Sequence, residues 1–223
     1  MMILIHACPA RLWFVEGWLA PELRRQGAKD VTVWCDERKL GNLQACRASF
    51  AACGGDGDTW HLQDDVLPAS DFMQRAEALE DRRGVICGFV NENGGPNANL
   101  TGEQHGRDVW YSFPCVRIPN GRARALAAWI RDGGDGGTTA RSFINRGIGD
   151  DWFFRRYMEM YYPDEPVLHC KPCLVEHIDF PLGGSQCTPW RGYWARAAYW
   201  DEPERVEEVT DWIKTHRPAR VGS

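Results

Sequence analysis

Asp64 and Asp65 stand side by side near the end of Trp60-His61-Leu62-Gln63-Asp64-Asp65-Val66-Leu67-Pro68, a short apolar run that stops at a proline. Paired carboxylates closing a strand present hard oxygen ligands at one point, the chemistry that brings a divalent cation and a phosphate together. Ser70 follows with a hydroxyl suited to cap a helix over residues 71–79. The acids then lie at a strand-to-helix junction, the edge of an α/β sheet where ligands bind. The competing structural role for such a pair is to close a helix-capping turn.

Two further constellations carry chemistry. Cys170-Lys171-Pro172-Cys173, His177 and Cys187 have the residue types of a zinc knuckle, spaced C-x2-C-x3-H-x9-C; alternatively the thiols pack as small core residues. Gly149-Asp150-Asp151-Trp152 places two acids at the start of a helix, where they suit either the helix dipole or a general base.

The elements that must position these residues alternate. Residues 2–6 read as a buried strand. Leu12, Trp13, Leu19 and Leu23 recur near helical spacing up to Gly27, with Pro21 kinking that helix or beginning its second segment. A β-branched strand over residues 31–35, a helix over 42–53 and a third strand over 60–63 give β-α-β-α-β, which favours a parallel sheet with right-handed crossovers. Further strands are expected at 85–89 and 109–113. A helix opening at Pro119-Asn120 turns Leu126, Trp129 and Ile130 inward, a helix runs from Asp150 to about Tyr161, extended structure over 167–175 is broken by Pro172, and a polar helix starts at Pro203.

With 223 residues, 43% of them hydrophobic, the chain can build a full core. No segment approaches the roughly 20 apolar residues that cross a bilayer, and the first eight residues lack the basic lead and apolar length of a signal peptide. Nine cysteines without an export signal point to reduced thiols in a cytoplasmic compartment. A net charge of −5 excludes a non-specific nucleic-acid coat, although residues 104–149 carry seven arginines against three aspartates, facing either a phosphate-bearing ligand or solvent. The absence of G-x-G-x-x-G after strand one, and of a P-loop, excludes the common dinucleotide and P-loop sites. A metal-dependent phosphoesterase needs more acids and histidines than Asp64, Asp65 and one distant histidine supply.

From about residue 2 to residue 186 the chain resembles a nucleotide-sugar-dependent glycosyltransferase of the GT-A fold, in a small bacterial or phage-type form. Leu62-Gln63-Asp64-Asp65-Val66-Leu67-Pro68 with Phe72 is similar to that family's carboxylate motif and following helix. Pro172-Cys173-Leu174-Val175-Glu176-His177, followed by Gly183-Gly184-Ser185, is similar to its closing segment. The resemblance implies an α/β, Rossmann-like fold with a mixed, mostly parallel central sheet flanked by helices. It also implies a single domain whose residues 1–80 bind the nucleotide sugar, 81–190 face the acceptor and 191–223 form a helical extension.

The resemblance further implies Mn²⁺ or Mg²⁺ held by Asp65 and His177, with Asp64 at the ribose or donor sugar. Gln63 stands where the common motif has an acid, and an amide is the weaker ligand. His6, Ala7 and Cys8 would cradle the nucleoside, Asp36 the uracil or ribose unless it is a turn acid, Asn42 and Arg47 the diphosphate or base, and Ser185 the donor. Asp151, paired with Asp150, would be the base of an inverting transfer, with retaining chemistry left open. The implied reaction moves a sugar from a UDP-sugar to a hydroxyl on a saccharide or on a hydroxymethylated base in DNA. Trp110, Trp152, Trp190, Trp194 and Trp200 are available to stack on either acceptor. The implied setting is the cytoplasm of a bacterium or a phage-infected cell. The alternative is a zinc-binding interaction module on an inactive transferase scaffold.

Overall fold

The structure, a computed structural model, describes residues 1–92, 102–104, 113–134, 150–183 and 196–218; within these, the side chains of Asn42, Glu103, Gln104, Asp150, Asp151 and Trp152 are not described. Strand β1 (Met2–Ala7) is apolar on both sides because both are covered. Ile3, Ile5 and Ala7 enter a cluster with Phe14, Leu19 and Trp60, while Leu4 enters a second with Leu43 and Phe50. The chain turns into a helical stretch made of α1 (Leu12–Phe14), a π-turn over Val15–Leu19, and α2 (Ala20–Arg25). Pro21 sits in the first turn of α2, where its missing N–H costs nothing, so it begins a second segment. Gly27, at φ 106°, reverses the chain beyond it.

Strand β2 (Asp30–Cys35) then pairs parallel with β1, helix α3 (Asn42–Ala51) crosses over, and β3 (Asp58–Gln63) pairs parallel on β1's other side. This is the β-α-β-α-β unit that the sequence pattern implies. After the acids come β4 (Val66–Pro68), α4 (Phe72–Glu77), β5 (Val85–Cys87), β6 (Gly102–Gln104), β7 (Cys115–Pro119) and α5 (Asn120–Arg131). They are followed by α6 (Asp150–Tyr161), β8 (Val167–His169), β9 (Val175–His177) and α7 (Pro203–His216).

The main sheet has the order β2-β1-β3-β7-β5-β8-β6. Among its described strands β2, β1, β3, β5 and β8 run one way, and β7 and β6 run the other. The expected mixed, mostly parallel sheet is therefore present. One face is covered by α1, the π-turn, α2 and α7, with Val209 and Ile213 buried there and Trp212 stacked on Trp13 at 5.9 Å. The other is covered by α3, α5 and α6, with Phe50, Leu126, Ile130, Phe153 and Phe154 buried.

Several local expectations differ. Asp71, not Ser70, is the N-cap of α4, and it makes no side-chain cap bond. The Ser70 N–H instead donates to both carboxylate oxygens of Glu202 at 3.0 and 2.9 Å, tying α4 to the start of α7. The strand expected at residues 109–113 lies outside the described residues except for Phe113, which is in a turn; the central strand is β7, just downstream. Arg117 disguises it. This buried guanidinium donates to the Leu79 carbonyl at 2.6 Å and to that of Arg82, and faces Asp58 at 3.3 Å.

The described arginines of the basic segment engage protein partners. Arg122 pairs with Glu165 at 2.5 Å, Arg124 donates to the carbonyls of Cys53 and Gly55, and Arg131 pairs with Asp132 at 2.7 Å. Arg107, Arg141 and Arg146 lie outside the described residues. All eight described cysteines are free thiols, and six of them are buried.

Candidate functional site

A small second sheet brings distant residues together. Strands β4 and β9 pair antiparallel with Val66 opposite His177, Leu67 opposite Glu176 and Pro68 opposite Val175. The ladder is extended by the Ile178 N–H on the Asp65 carbonyl at 2.7 Å and the Ala69 N–H on the Leu174 carbonyl at 2.9 Å. Buried Glu176 locks the register from behind, accepting the N–H groups of His177 and Ala197, each at 2.7 Å. Because this framework is backbone, His177 is delivered to the acid pair whatever its own side chain does.

His177 Nε2 lies 3.3 Å from Asp65 Oδ2. Asp179, in the turn that follows β9, places Oδ1 3.8 Å from His177 Nδ1. Asp64 faces the β1–α1 corner: its Oδ2 accepts the Cys8 N–H at 2.6 Å and its Oδ1 accepts from Arg11 Nη1 at 2.9 Å. The same Arg11 nitrogen donates to Asp65 Oδ2. All three side chains are buried, with Arg11 3%, Asp64 6% and Asp65 7% exposed, so the charges act on one another with little solvent screening.

Burial alone would raise the Asp65 pKa, but the imidazolium of His177 and the Arg11 guanidinium outweigh it and hold that carboxyl well below the usual range. Asp64 moves the other way, raised by burial and by the neighbouring Asp65 charge against the pull of Arg11 and the Cys8 N–H. Burial lowers the His177 pKa, yet Asp65 and then Asp179 reverse this and leave it raised. Asp179 is raised by burial.

These shifts fix a pH dependence. A histidine whose folded pKa exceeds its unfolded value of about 6.5 contributes its full stabilisation below that pH and loses it as pH climbs through the folded pKa. Asp65, being depressed, contributes above its ordinary value of about 3.8 and loses its share only in stronger acid. Thermal midpoints taken from about pH 5 to about pH 9 are expected to show the wild type losing its advantage over His177→Gln as pH rises. A difference that stays constant across that range contradicts the pairing.

The donors suit a divalent cation. Asp65 Oδ1 is buried and has no hydrogen-bond partner among the described residues. Ligands about 2.1 Å from an ion and at right angles to each other are about 3 Å apart, close to the spacing of Asp65 Oδ2 and His177 Nε2. An oxygen and an imidazole, completed by water and phosphate, suit Mn²⁺ better than Mg²⁺, which prefers oxygen ligands throughout. Among the described residues no three His, Cys, Asp or Glu side chains form a ready cage. A cation at Asp65 also meets Arg11: two unit charges about 4 Å apart repel by roughly 4 kcal/mol at an effective dielectric of about 20.

The other sequence candidates divide. Ala7 and Cys8 lie at the end of β1 beside Asp36, whose N–H bonds the Ala7 carbonyl at 2.8 Å. Asp36 Oδ1 accepts the Leu40 N–H at 3.0 Å, so this oxygen closes its own turn. The Cys8 thiol, raised to about 12 by burial and then by Asp64, stays protonated. His6 faces inward: its Nε2 is 3.0 Å from His61 Nδ1, Ser49 Oγ is 3.2 Å away, and burial lowers its pKa to about 4, leaving a neutral ring at pH 7. Arg47 donates to Gln44 at 2.8 Å on α3, which Asn42 begins. Asp150 and Asp151 open α6, as expected from the sequence. Ser185 and Cys187 lie outside the described residues.

Arg11 and Asp179 are the two members that sequence reasoning passed over. The signal for Asp179 was its i+2 spacing from His177. For Arg11 it was a lone charge in Ala7-Cys8-Pro9-Ala10-Arg11-Leu12-Trp13-Phe14, a stretch too apolar to leave it unpaired.

No family model matches the chain, and no curated protein matches it. Solved structures do. A197 from STIV is 14% identical over 80% of this chain and 86% of its own, with a TM-score of 0.41. The glycosyltransferase GlyE of Streptococcus pneumoniae TIGR4 is 9% identical over 100% of this chain and 66% of its own, with a TM-score of 0.48. A mutant Drosophila β-1,4-galactosyltransferase 7 in complex with manganese, UDP-Gal and xylobiose is 10% identical over 100% of this chain and 82% of its own, with a TM-score of 0.38. At such identities and TM-scores these likenesses carry no conclusion about this chain, whose mixed α/β architecture, a mostly parallel sheet flanked by helices, is read from its own strand order.

Proposed function

We propose that this chain is a nucleotide-sugar-dependent glycosyltransferase that moves a sugar from a UDP-linked donor to an acceptor hydroxyl with Mn²⁺ or Mg²⁺. The observation that supports it most is the meeting of Asp65 with His177 across the β4–β9 ladder, at the end of β3 and beside the β1–α1 corner. Asp65 and His177 would hold the cation, which when bound neutralises the charge that grows on the departing nucleoside diphosphate. Asp179 Oδ1, 3.8 Å from His177 Nδ1 and so beyond hydrogen-bond reach, acts on the ring through its charge.

Asp64 fastens the β1–α1 corner to the end of β3 through the Cys8 N–H, so the edge formed by Ala7, Cys8 and Asp36 is fixed relative to the acids. The nucleoside lies along this edge, with Asn42 and Arg47 on the next helix. Ser185, outside the described residues, would serve the donor. Asp151, beside Asp150, takes the proton of the attacking hydroxyl from the side opposite the leaving group, the inverting course. The acceptor is a saccharide or a hydroxymethylated base in DNA. The alternative of a zinc-binding module requires His177 beside Cys170 and Cys173, and the place of its Nε2 at Asp65 favours the transferase reading.

Thermal shift with nucleoside diphosphates tests the proposal. UDP with Mn²⁺ is expected to stabilise the chain more than either alone, by roughly 2.7 kcal/mol at 100 times the dissociation constant. No shift with any nucleoside diphosphate in the presence of Mn²⁺ contradicts the reading.

A further inference from the structure

Arg11 holds the position from which a cation would contact both acids. Its Nη1 reaches Asp64 Oδ1 at 2.9 Å and also Asp65 Oδ2, the oxygen that faces His177 Nε2 at 3.3 Å. The other Asp65 oxygen, Oδ1, is buried without a hydrogen-bond partner among the described residues. Arg11 is 3% exposed, and its guanidinium is delivered by a fixed turn. The Arg11 N–H bonds the Cys8 carbonyl at 3.0 Å, the Arg11 carbonyl accepts from Phe14 and Val15, and the Cys8 N–H is itself held by Asp64. The turn is anchored, whereas the side chain above it has several rotatable bonds. The bonds that hold the turn are backbone bonds, so they are not among those broken when the guanidinium exchanges partners.

We infer that Arg11 is a tethered cation that keeps the divalent ion out of the acid pair until a diphosphate arrives to receive its guanidinium. The inference rests on the nucleotide-sugar reading of the same site and adds a rule for its loading. A bare divalent ion must expel a positive charge from two buried carboxylates. An ion that arrives with a diphosphate brings an anion to receive that charge, because the planar fork that fits carboxylate also fits phosphate. Neither Arg11 nor the ion is consumed or covalently changed. The guanidinium exchanges carboxylate oxygens for phosphate oxygens, and the ion takes up the Asp65 oxygen it vacates. Metal and nucleotide thereby bind as one unit.

The test is Mn²⁺ binding to the full chain, followed by electron paramagnetic resonance without nucleotide, in the wild type, Arg11→Met and Arg11→Lys. The wild type is expected to bind bare Mn²⁺ weakly, Arg11→Met about tenfold tighter or more, and Arg11→Lys in between, since a point charge cannot bridge two carboxylates as a fork does. Asp65→Asn should bind none. If Arg11→Met does not fold, Arg11→Met/Asp64→Asn removes one buried acid along with the arginine, and it should bind Mn²⁺ tighter than Asp64→Asn alone. Equal or weaker Mn²⁺ binding after loss of Arg11, in either background, overturns the inference. If the wild type is nevertheless stabilised by UDP with Mn²⁺, only the arginine's role fails. If neither wild type nor variant binds Mn²⁺ or UDP, the transferase reading fails with it.

Discussion

Asp65→Ala is expected to abolish turnover of a nucleotide-sugar donor, lowering kcat/KM by at least about 10³-fold, because a bound cation contributes several kcal/mol and each 1.36 kcal/mol is a factor of ten. The folded chain should survive. Arg11 keeps its bond to Asp64 at 2.9 Å, and the β4–β9 ladder is carried by backbone groups, including the Asp65 carbonyl itself. Asp64→Ala should behave differently. That carboxylate holds both the Cys8 N–H and Arg11, so its loss loosens the β1–α1 corner and falls on stability and KM as much as on kcat. Donor hydrolysis, measured beside denaturant unfolding, separates the two. Undiminished hydrolysis in Asp65→Ala, or by the wild type in EDTA, would remove Asp65 from the chemistry.

The parts of this arrangement visible in the sequence are those where one segment carries its own signal. The apolar run before Asp64 and Asp65 marks β3, and paired acids at a strand end single out one point for either ligand binding or a structural turn. The parallel β1, β2 and β3 follow from alternation with helices. What stayed hidden depends on pairing across the chain. Strands β4 and β9 are three residues each, too short for any periodicity, and they are strands only because they pair with each other. Strand β7 carries Arg117 at its centre, which reads as exposed until the carbonyls of Leu79 and Arg82 are seen to receive it. The same blindness left the basic segment open between a ligand surface and a solvated face, whereas the described Arg122 and Arg124 hold Glu165 and the carbonyls of Cys53 and Gly55. His177 could be matched to Asp65 only through family resemblance. Arg11 has no motif, since what defines it is the pair of acids more than fifty residues downstream.

Trp60→Ala is expected to cost roughly 3–5 kcal/mol, a large share of the 5–15 kcal/mol that keeps a domain folded. Trp60 is the largest fully buried side chain among the described residues. It stands at the middle of β3, between Ile3 of β1 and Arg117 of β7, and meets Phe72 of α4 edge to face at 5.8 Å. Truncation there opens a cavity bounded by backbone ladders on two sides, which cannot collapse into it as a loop would. Trp60→Phe should cost far less, about 1 kcal/mol, because it keeps most of the ring contact. It also removes an indole N–H that is buried without an acceptor among the described residues, which offsets part of the lost volume. Urea unfolding reads both, with the midpoint moving and the slope unchanged if the native surface is the same. The pair also probes the site, because Trp60 lies in β3 four residues before Asp64, which opens the turn that follows this strand. Trp60→Phe should retain full donor turnover. Trp60→Ala, assayed where it remains folded, should lose activity through the position of the acids rather than their chemistry. Equal stability of the alanine and phenylalanine variants would mean that β3 is held by its ladders alone and that the packing beneath it does not set the acids' position.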